Sequence, residues 1–253
     1  MGASPPDQTL TPTPRQPIES DAKQIGPETD VVLFDLDGTL VDHDAAARAG
    51  AVHLAAELGL PSPQEQWRRW AEIERRWFLE FERGNVTHIG QRIKRCREFL
   101  GDDQLNDAAA LQIYDVYVEA YRAAWRTYPD AGDALRRAAA SGREVGIFTN
   151  GATEMQARKL SATGLHFDGL RLLAATDLGA AKPDPRAYAA AEARLGAAGP
   201  GSVALIGDDW HNDVAGARAA GWRAVYLVRE GVEAHPVMPR AETPVASLDQ
   251  IVF

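Results

Sequence analysis

Cysteine is nearly absent from the chain. Cys96 is the single one, which excludes an intrachain disulfide and leaves no second thiol to complete a cysteine-based metal site. By itself it reads as a small, buried apolar side chain. Long apolar runs are missing as well, and none approaches the roughly 18 residues that a bilayer-spanning helix requires. Residues 1–25 lack a charged-then-apolar leader pattern and are rich in Pro, Thr, Asp and Gln. They are expected to form a disordered tail, taken to run through residue 27, on a cytoplasmic protein. A basic surplus is the third absence: 27 Lys and Arg stand against 36 Asp and Glu, a formal charge of −9. Phosphodiester backbones and anionic membranes are repelled, so neither nucleic acid nor lipid is an expected partner. The same charge repels small anions at long range, and any phosphate site needs local neutralisation by a metal, a lysine or backbone N–H groups.

What is present is an ordinary globular composition. Hydrophobic residues make up 45% and charged residues 25% of 253 residues, enough for one large domain or a core with a sizeable insertion. Val31, Val32, Leu33 and Phe34 form a continuous apolar run within 30–37, as buried parallel strands do when both faces are covered. Similar runs occupy 144–149 and 202–207, with shorter candidates at 170–174 and 224–228. Helical patterns lie between them at 131–141, 153–163, 185–195 and 212–220. This alternation predicts an α/β fold with an open, doubly wound parallel sheet. The stretch 44–126 breaks the pattern, because it holds no convincing strand and reads as four helices. Trp67, Trp70, Trp77 and Phe81 recur at helical spacing, as do Tyr114, Tyr117, Val118, Tyr121 and Trp125. The expected organisation is therefore a core of 28–43 and 127–253 with a helical cap, 44–126, inserted after the first strand.

In open α/β sheets ligands bind where strands end, and four strand ends are rich in chemistry. The first is Asp35-Leu36-Asp37-Gly38-Thr39-Leu40, with carboxylates at i and i+2 on one side of an extended chain. Two anions that close need a cation or a shared proton between them, and Mg²⁺ takes one or two carboxylates plus a substrate phosphate. A carboxylate is also a competent nucleophile towards phosphorus, although Asp-Gly is equally common in turns. The second end, Thr149-Asn150-Gly151, offers a phosphate donors at a helix start; taken alone it fits helix capping better. The third, Ala181-Lys182-Pro183-Asp184-Pro185, presents an ammonium between prolines, where it would offset charge on a phosphoryl group. The fourth, Gly207-Asp208-Asp209-Trp210-His211-Asn212-Asp213, suits the completion of a metal site. Asp208 or Asp209 would reach the ion, and Asp213 would orient water or Lys182. The bland alternative makes Asn212 or Asp213 a helix cap. His211 lacks a partner and is left outside the site.

Together and in this order, these four segments resemble the motifs of the haloacid dehalogenase superfamily, over about residues 30–228. The resemblance implies a Rossmann-like core with an inserted cap, similar to the subgroup that includes phosphoglycolate phosphatases. It implies Asp35 as nucleophile, Asp37 as general acid/base, Thr149 and Asn150 as phosphate-binding groups and Lys182 as charge stabiliser and phosphate contact. The metal residues it implies are Asp35, Asp37, Asp208 and Asp213, with Mg²⁺ as cofactor. The expected activity is hydrolysis of a small phosphorylated metabolite through an aspartyl-phosphate, by a monomer or homodimer. A phosphomutase would keep the same core residues. A 2-haloacid dehalogenase needs neither metal nor an acid at position 37, and a non-catalytic binding module would have no use for the intact acidic set. Substrate choice is expected from the cap, with His88 and Arg92 beside the turn 83–89 as candidates to meet the leaving group.

Overall fold

Alternate residues of the first strand face two different cores. In the computed structural model, which describes residues 24–196, 199 and 201–253, Val32 and Phe34 of β1 (Val31–Phe34) pack on one side and Val31 and Leu33 on the other. Both faces are buried, which is why the run is apolar throughout rather than alternating. β1 is the centre of a five-stranded sheet with β2 (Glu144–Thr149), β3 (Arg171–Ala174), β4 (Val203–Gly207) and β5 (Arg223–Tyr226), in the order β3-β2-β1-β4-β5. Every pairing is parallel, and Phe34 lies opposite Ile147 on one side and Ile206 on the other. The chain leaves β1 towards β2 in one direction and reaches β4 in the other, so a crevice opens beyond the strand ends beside β1.

Four helices, α1 (His43–Glu57), α2 (Pro63–Glu82), α3 (His88–Leu100) and α4 (Asp107–Ala123), follow β1. They enclose their own apolar cluster around Trp70, Phe99, Tyr117 and Trp125. Trp70 is 1% exposed, edge-on to Phe99 and tilted against Tyr117, so the aromatic stripes close on one another as helical spacing requires. The chain segments entering and leaving this layer are paired: Val41 bridges Thr127, and Asp42 N–H donates to Arg126 O at 3.0 Å. The remaining helices, α5 (Ala131–Ala140), α6 (Thr153–Ala162), α7 (Ala175–Leu178) and α8 (Pro185–Leu195), flank the sheet. After β4 a π-helical turn, Trp210–Ala215, runs into α9 (Gly216–Ala219). No helix among the described residues is long and apolar enough to cross a membrane.

The expected disordered tail lies outside the described residues as far as 23, but its boundary is too late. Ile25 is 3% exposed within the sheet's core, and its N–H donates to Val252 O at 2.8 Å. The surrounding Gln, Gly and Pro hide this single anchoring side chain in the sequence.

Candidate active site

Asp35 directly follows β1 and is still hydrogen-bonded into the sheet, its N–H donating to Ile206 O at 2.8 Å. Its carboxylate meets Lys182, which reaches it from the loop before α8. Lys182 is 1% exposed and donates to Asp35 Oδ1 at 2.8 Å, Asp213 Oδ1 at 2.5 Å and Phe148 O at 2.7 Å. All three ammonium hydrogens are thereby used. Burial works against the charged amine, but Asp213 and Asp35 outweigh it and raise the Lys182 pKa, so the lysine stays protonated.

Asp208 accepts from Thr39 Oγ1 at 2.6 Å, and carboxylate oxygens of Asp35, Asp208 and Asp213 lie within 4.8 Å of one another. Burial pushes Asp35 up to about 7, with Asp213 adding to it and Lys182 opposing. Burial, then Asp35 and Asp213, push Asp208 well above the carboxylate range. Two buried acids and a half-buried third thus gather around one ammonium, a deficit of positive charge that an oxygen-seeking divalent cation fits. Asp213 has both oxygens committed, Oδ1 to Lys182 and Oδ2 to the Asp209 N–H at 3.0 Å. Among the described residues, Oδ2 of Asp35 and Oδ2 of Asp208 take no hydrogen bond, in contrast to their Oδ1 atoms. Two glycines allow this crowding. A Cβ on Gly38, whose φ is +91°, would collide with the Asp208 carboxylate, and one on Gly207 would collide with that of Asp213.

Asp209 is directed elsewhere: its Oδ1 accepts from Asn212 N–H at 2.7 Å and caps the π-helical turn. The cap is therefore Asp209 rather than Asn212 or Asp213. His211 is exposed and packs edge-on to His235 at 4.6 Å.

Asp37 is not part of the three-acid cluster. Its carboxylate forms an ion pair with the fully buried Lys159 of α6, accepts from Gln156 Nε2 at 2.7 Å, and stands 3.7 Å from His43 Nδ1. Burial alone would raise its pKa, but Lys159 and His43 prevail and hold it at about 2. Lys159 also donates to the Tyr121 hydroxyl at 2.7 Å, tying the acid to α4. Nothing in the sequence motifs marks Lys159, Gln156 or Tyr121. The available signal is that Gln156 and Lys159 occupy core-facing positions of α6 beside Leu160, where apolar residues belong.

Neither Thr149 nor Asn150 caps α6, whose N-cap is Ala152. Thr149 Oγ1 accepts from Gln156 Nε2 at 2.9 Å and from Gly151 N–H at 3.2 Å, leaving its own hydrogen to donate. Asn150 clamps Lys182, accepting its N–H at 2.7 Å and donating to its carbonyl at 2.8 Å. The second amide hydrogen goes to Glu82 Oε1 at 2.6 Å, and the same oxygen accepts from Asn212 Nδ2 at 2.9 Å. Burial pushes Glu82 up to about 7, against the two amides that favour its charge and with Asp209 adding to the shift. Glu82 ends α2 with no motif around it, and only the three-dimensional contact reveals it.

These groups line one cavity of about 820 Å³ between the sheet edge and the four helices. Asp35, Asp37, Thr149, Asn150, Lys182, Asp208 and Asp213 all reach it, as do His88 and Arg92. The arrangement supplies a buried carboxylate beside a fixed ammonium, a hydroxyl donor, a cation-seeking acid cluster and a separately held second carboxylate.

A family profile described as haloacid dehalogenase-like hydrolase matches residues 29–221. The chain is similar to the phosphatase MT3486 of Mycobacterium tuberculosis, 31% identical over 79% of this chain and 88% of that protein. It is 32% identical to a ribulose-1,5-bisphosphate 5-phosphatase of Halopiger xanaduensis, over 77% of this chain and 82% of the relative. An (S)-2-haloacid dehalogenase 4A of Burkholderia cepacia is 31% identical over 79% and 83%. Among solved structures, the magnesium-bound HAD-hydrolase YfnB of Bacillus subtilis superposes with a TM-score of 0.72 at 20% identity, covering 84% of this chain and 92% of that one. At that identity the likeness concerns the fold.

Proposed function

The chain belongs to the haloacid dehalogenase-like hydrolase family, and on that premise we propose that it is a phosphoric monoester hydrolase that cleaves a small phosphorylated metabolite through an aspartyl-phosphate on Asp35, with Mg²⁺. The observation that carries this reading is the Asp35–Lys182–Asp213 chain with Asp208 beside it. Three carboxylates around one ammonium suit an incoming dianion only if a divalent cation joins them. Asp35 and Asp208, whose Oδ2 atoms are free, would hold Mg²⁺, which would offset phosphoryl charge as a Lewis acid.

In the first half-reaction an Asp35 carboxylate oxygen forms a bond to phosphorus and the bond to the leaving alcohol breaks. Lys182, immobilised by its three acceptors, stands against charge shed onto the phosphoryl oxygens. Thr149 donates its hydroxyl hydrogen to the phosphate. In the second half-reaction water attacks phosphorus, the acyl-phosphate bond breaks and Asp35 is released as carboxylate. Asp37 takes a proton from that water and gives one to the departing alcohol. Its pairing with Lys159 keeps it ionised at rest, the state needed for the first of these tasks. A neighbouring substrate dianion raises its pKa and favours the protonated state needed for the second.

The dehalogenase relative keeps a rival reading in view, since the same nucleophile attacks carbon. The buried cluster of acids beside Asp35 favours phosphoryl transfer, because displacement at carbon has no developing dianion for a metal and a lysine to stabilise. Hydrolysis of p-nitrophenyl phosphate by the wild type and by Asp35→Asn tests the proposal. The variant is expected to fold and to lose roughly a thousandfold or more in turnover. Comparable rates in the pure variant would remove Asp35 as nucleophile, and release of halide from a 2-haloacid without ester cleavage would install the rival.

A further inference from the structure

The first two turns of α3 present His88, Gln91, Arg92 and Arg95 at positions i, i+3, i+4 and i+7. These share one helix face, and all four line the same cavity as the three acids. The face is polar yet withdrawn from solvent. Gln91 is 1% exposed and its Oε1 accepts no hydrogen bond; Arg95 is 3% exposed and its Nε has no acceptor; nor does the buried Nε of Arg92. Buried polar atoms normally have partners, and those left without one in a concave site are where a ligand's polar groups belong.

The charge on this face has a sign. Arg95 Nη1 is matched by Glu74 Oε1 at 2.6 Å, whereas Arg92 has no carboxylate within ion-pair distance among the described residues. The guanidinium of Arg92 sits 5.2 Å from the Tyr114 ring centre and that of Arg95 5.8 Å from that of Phe78, so an aromatic ring backs each guanidinium. His88, held at about 4 by burial and by the two arginines, is neutral and adds no charge of its own. One arginine in excess thus faces the cavity that Asp35, Lys182 and Asp208 also line.

Resting on the phosphatase reading, we propose that this face is a second anion subsite: the substrate is a phosphomonoester whose alcohol half carries a carboxylate or a second phosphate, held by Arg92 with Arg95. A hydroxyl beside that anion donates to Gln91 Oε1. Arg92 and Gln91 are then specificity-determining residues that meet the leaving half of the substrate.

The test uses the full chain and three sets of esters matched in chain length from two to five carbons: simple alkyl phosphates, phosphooxy-carboxylates and terminal bisphosphates. Wild type is expected to favour a charged set by about tenfold or more in kcat/KM at one length, and whether carboxylate or bisphosphate wins identifies the anion. In Arg92→Ala, with folding checked by circular dichroism, that preference collapses, while Arg92→Lys retains part of it. Gln91→Leu abolishes the advantage of a hydroxylated ester over its deoxy counterpart. Calorimetric binding of the same esters to Asp35→Asn and to Asp35→Asn/Arg92→Ala reads the subsite without turnover. If wild type cleaves no ester, the phosphatase reading fails while a Kd difference still supports the subsite. Equal kcat/KM and equal Kd for charged and uncharged esters at every length, or a preference untouched by Arg92→Ala, would overturn it.

Discussion

Glu82, the last residue of α2, and Asn150, just past the end of β2, share a hydrogen bond of 2.6 Å that uses the last free hydrogen of the Asn150 amide. The other hydrogen is held by the Lys182 carbonyl, so a phosphate approaching Asn150 competes with a carboxylate of the helical layer.

Removing that competitor should strengthen phosphate binding. Glu82→Ala is expected to bind inorganic phosphate a few-fold to about tenfold more tightly, as a charge-assisted hydrogen bond and an anionic neighbour are both lost. Glu82→Gln keeps an acceptor oxygen for Asn150 and should show a smaller gain. Competitive inhibition constants for phosphate measure both effects; an unchanged constant in Glu82→Ala would mean that Asn150 acts only on Lys182.

The Lys159–Asp37 pair makes a prediction about pH. Asp37 is held at about 2, with burial raising its pKa and Lys159 and His43 lowering it further. Without substrate its ionised form therefore persists through the working range. Lys159→Gln keeps a hydrogen-bond donor but removes the cation, so the Asp37 pKa rises. The acid limb of kcat against pH should move upward into the range above about pH 4. A profile that overlays the wild type would show that Asp37 does not carry the proton.

Metal dependence follows from the acids around Asp35. Exhaustive chelation is expected to abolish ester hydrolysis and added Mg²⁺ to restore it, with Asp208→Asn requiring far more metal for half-maximal rate. Full rate in protein shown by elemental analysis to be metal-free would contradict the role given to the Asp35–Asp208 pair.

Much of this was legible in the sequence, for physical reasons. A strand buried on both faces must be a continuous apolar run, so β1, β2 and β4 announce themselves, with β2 found at 144–149 and β4 at 203–207. The strand ends place Asp35, Thr149 and Asp208 on one edge, whereas Lys182 is not at a strand end: β3 stops at Ala174 and α7 intervenes, so the lysine reaches Asp35 from the loop between α7 and α8. The failures are contacts between distant segments. Glu82 meets Asn150 from 68 residues away and Lys159 meets Asp37 from 122 away, and no local pattern encodes either. The turn after β4 begins two residues before the expected 212, as a π-helical turn, and of the two acids that could reach an ion Asp209 is spent capping it, because adjacent carboxylates look alike in sequence until the turn directs them apart. The tail expected from the sequence takes in Ile25 because one apolar residue among polar ones carries no periodicity.

The stereochemistry at phosphorus reads the covalent step directly. A phosphorothioate ester made chiral at phosphorus with two oxygen isotopes is hydrolysed in water carrying the third, and the configuration of the inorganic thiophosphate released is determined. Two successive in-line displacements, first by Asp35 and then by water, each invert phosphorus, so net retention is expected whether or not the intermediate accumulates. Net inversion would show a single direct attack by water and would contradict an aspartyl-phosphate on Asp35.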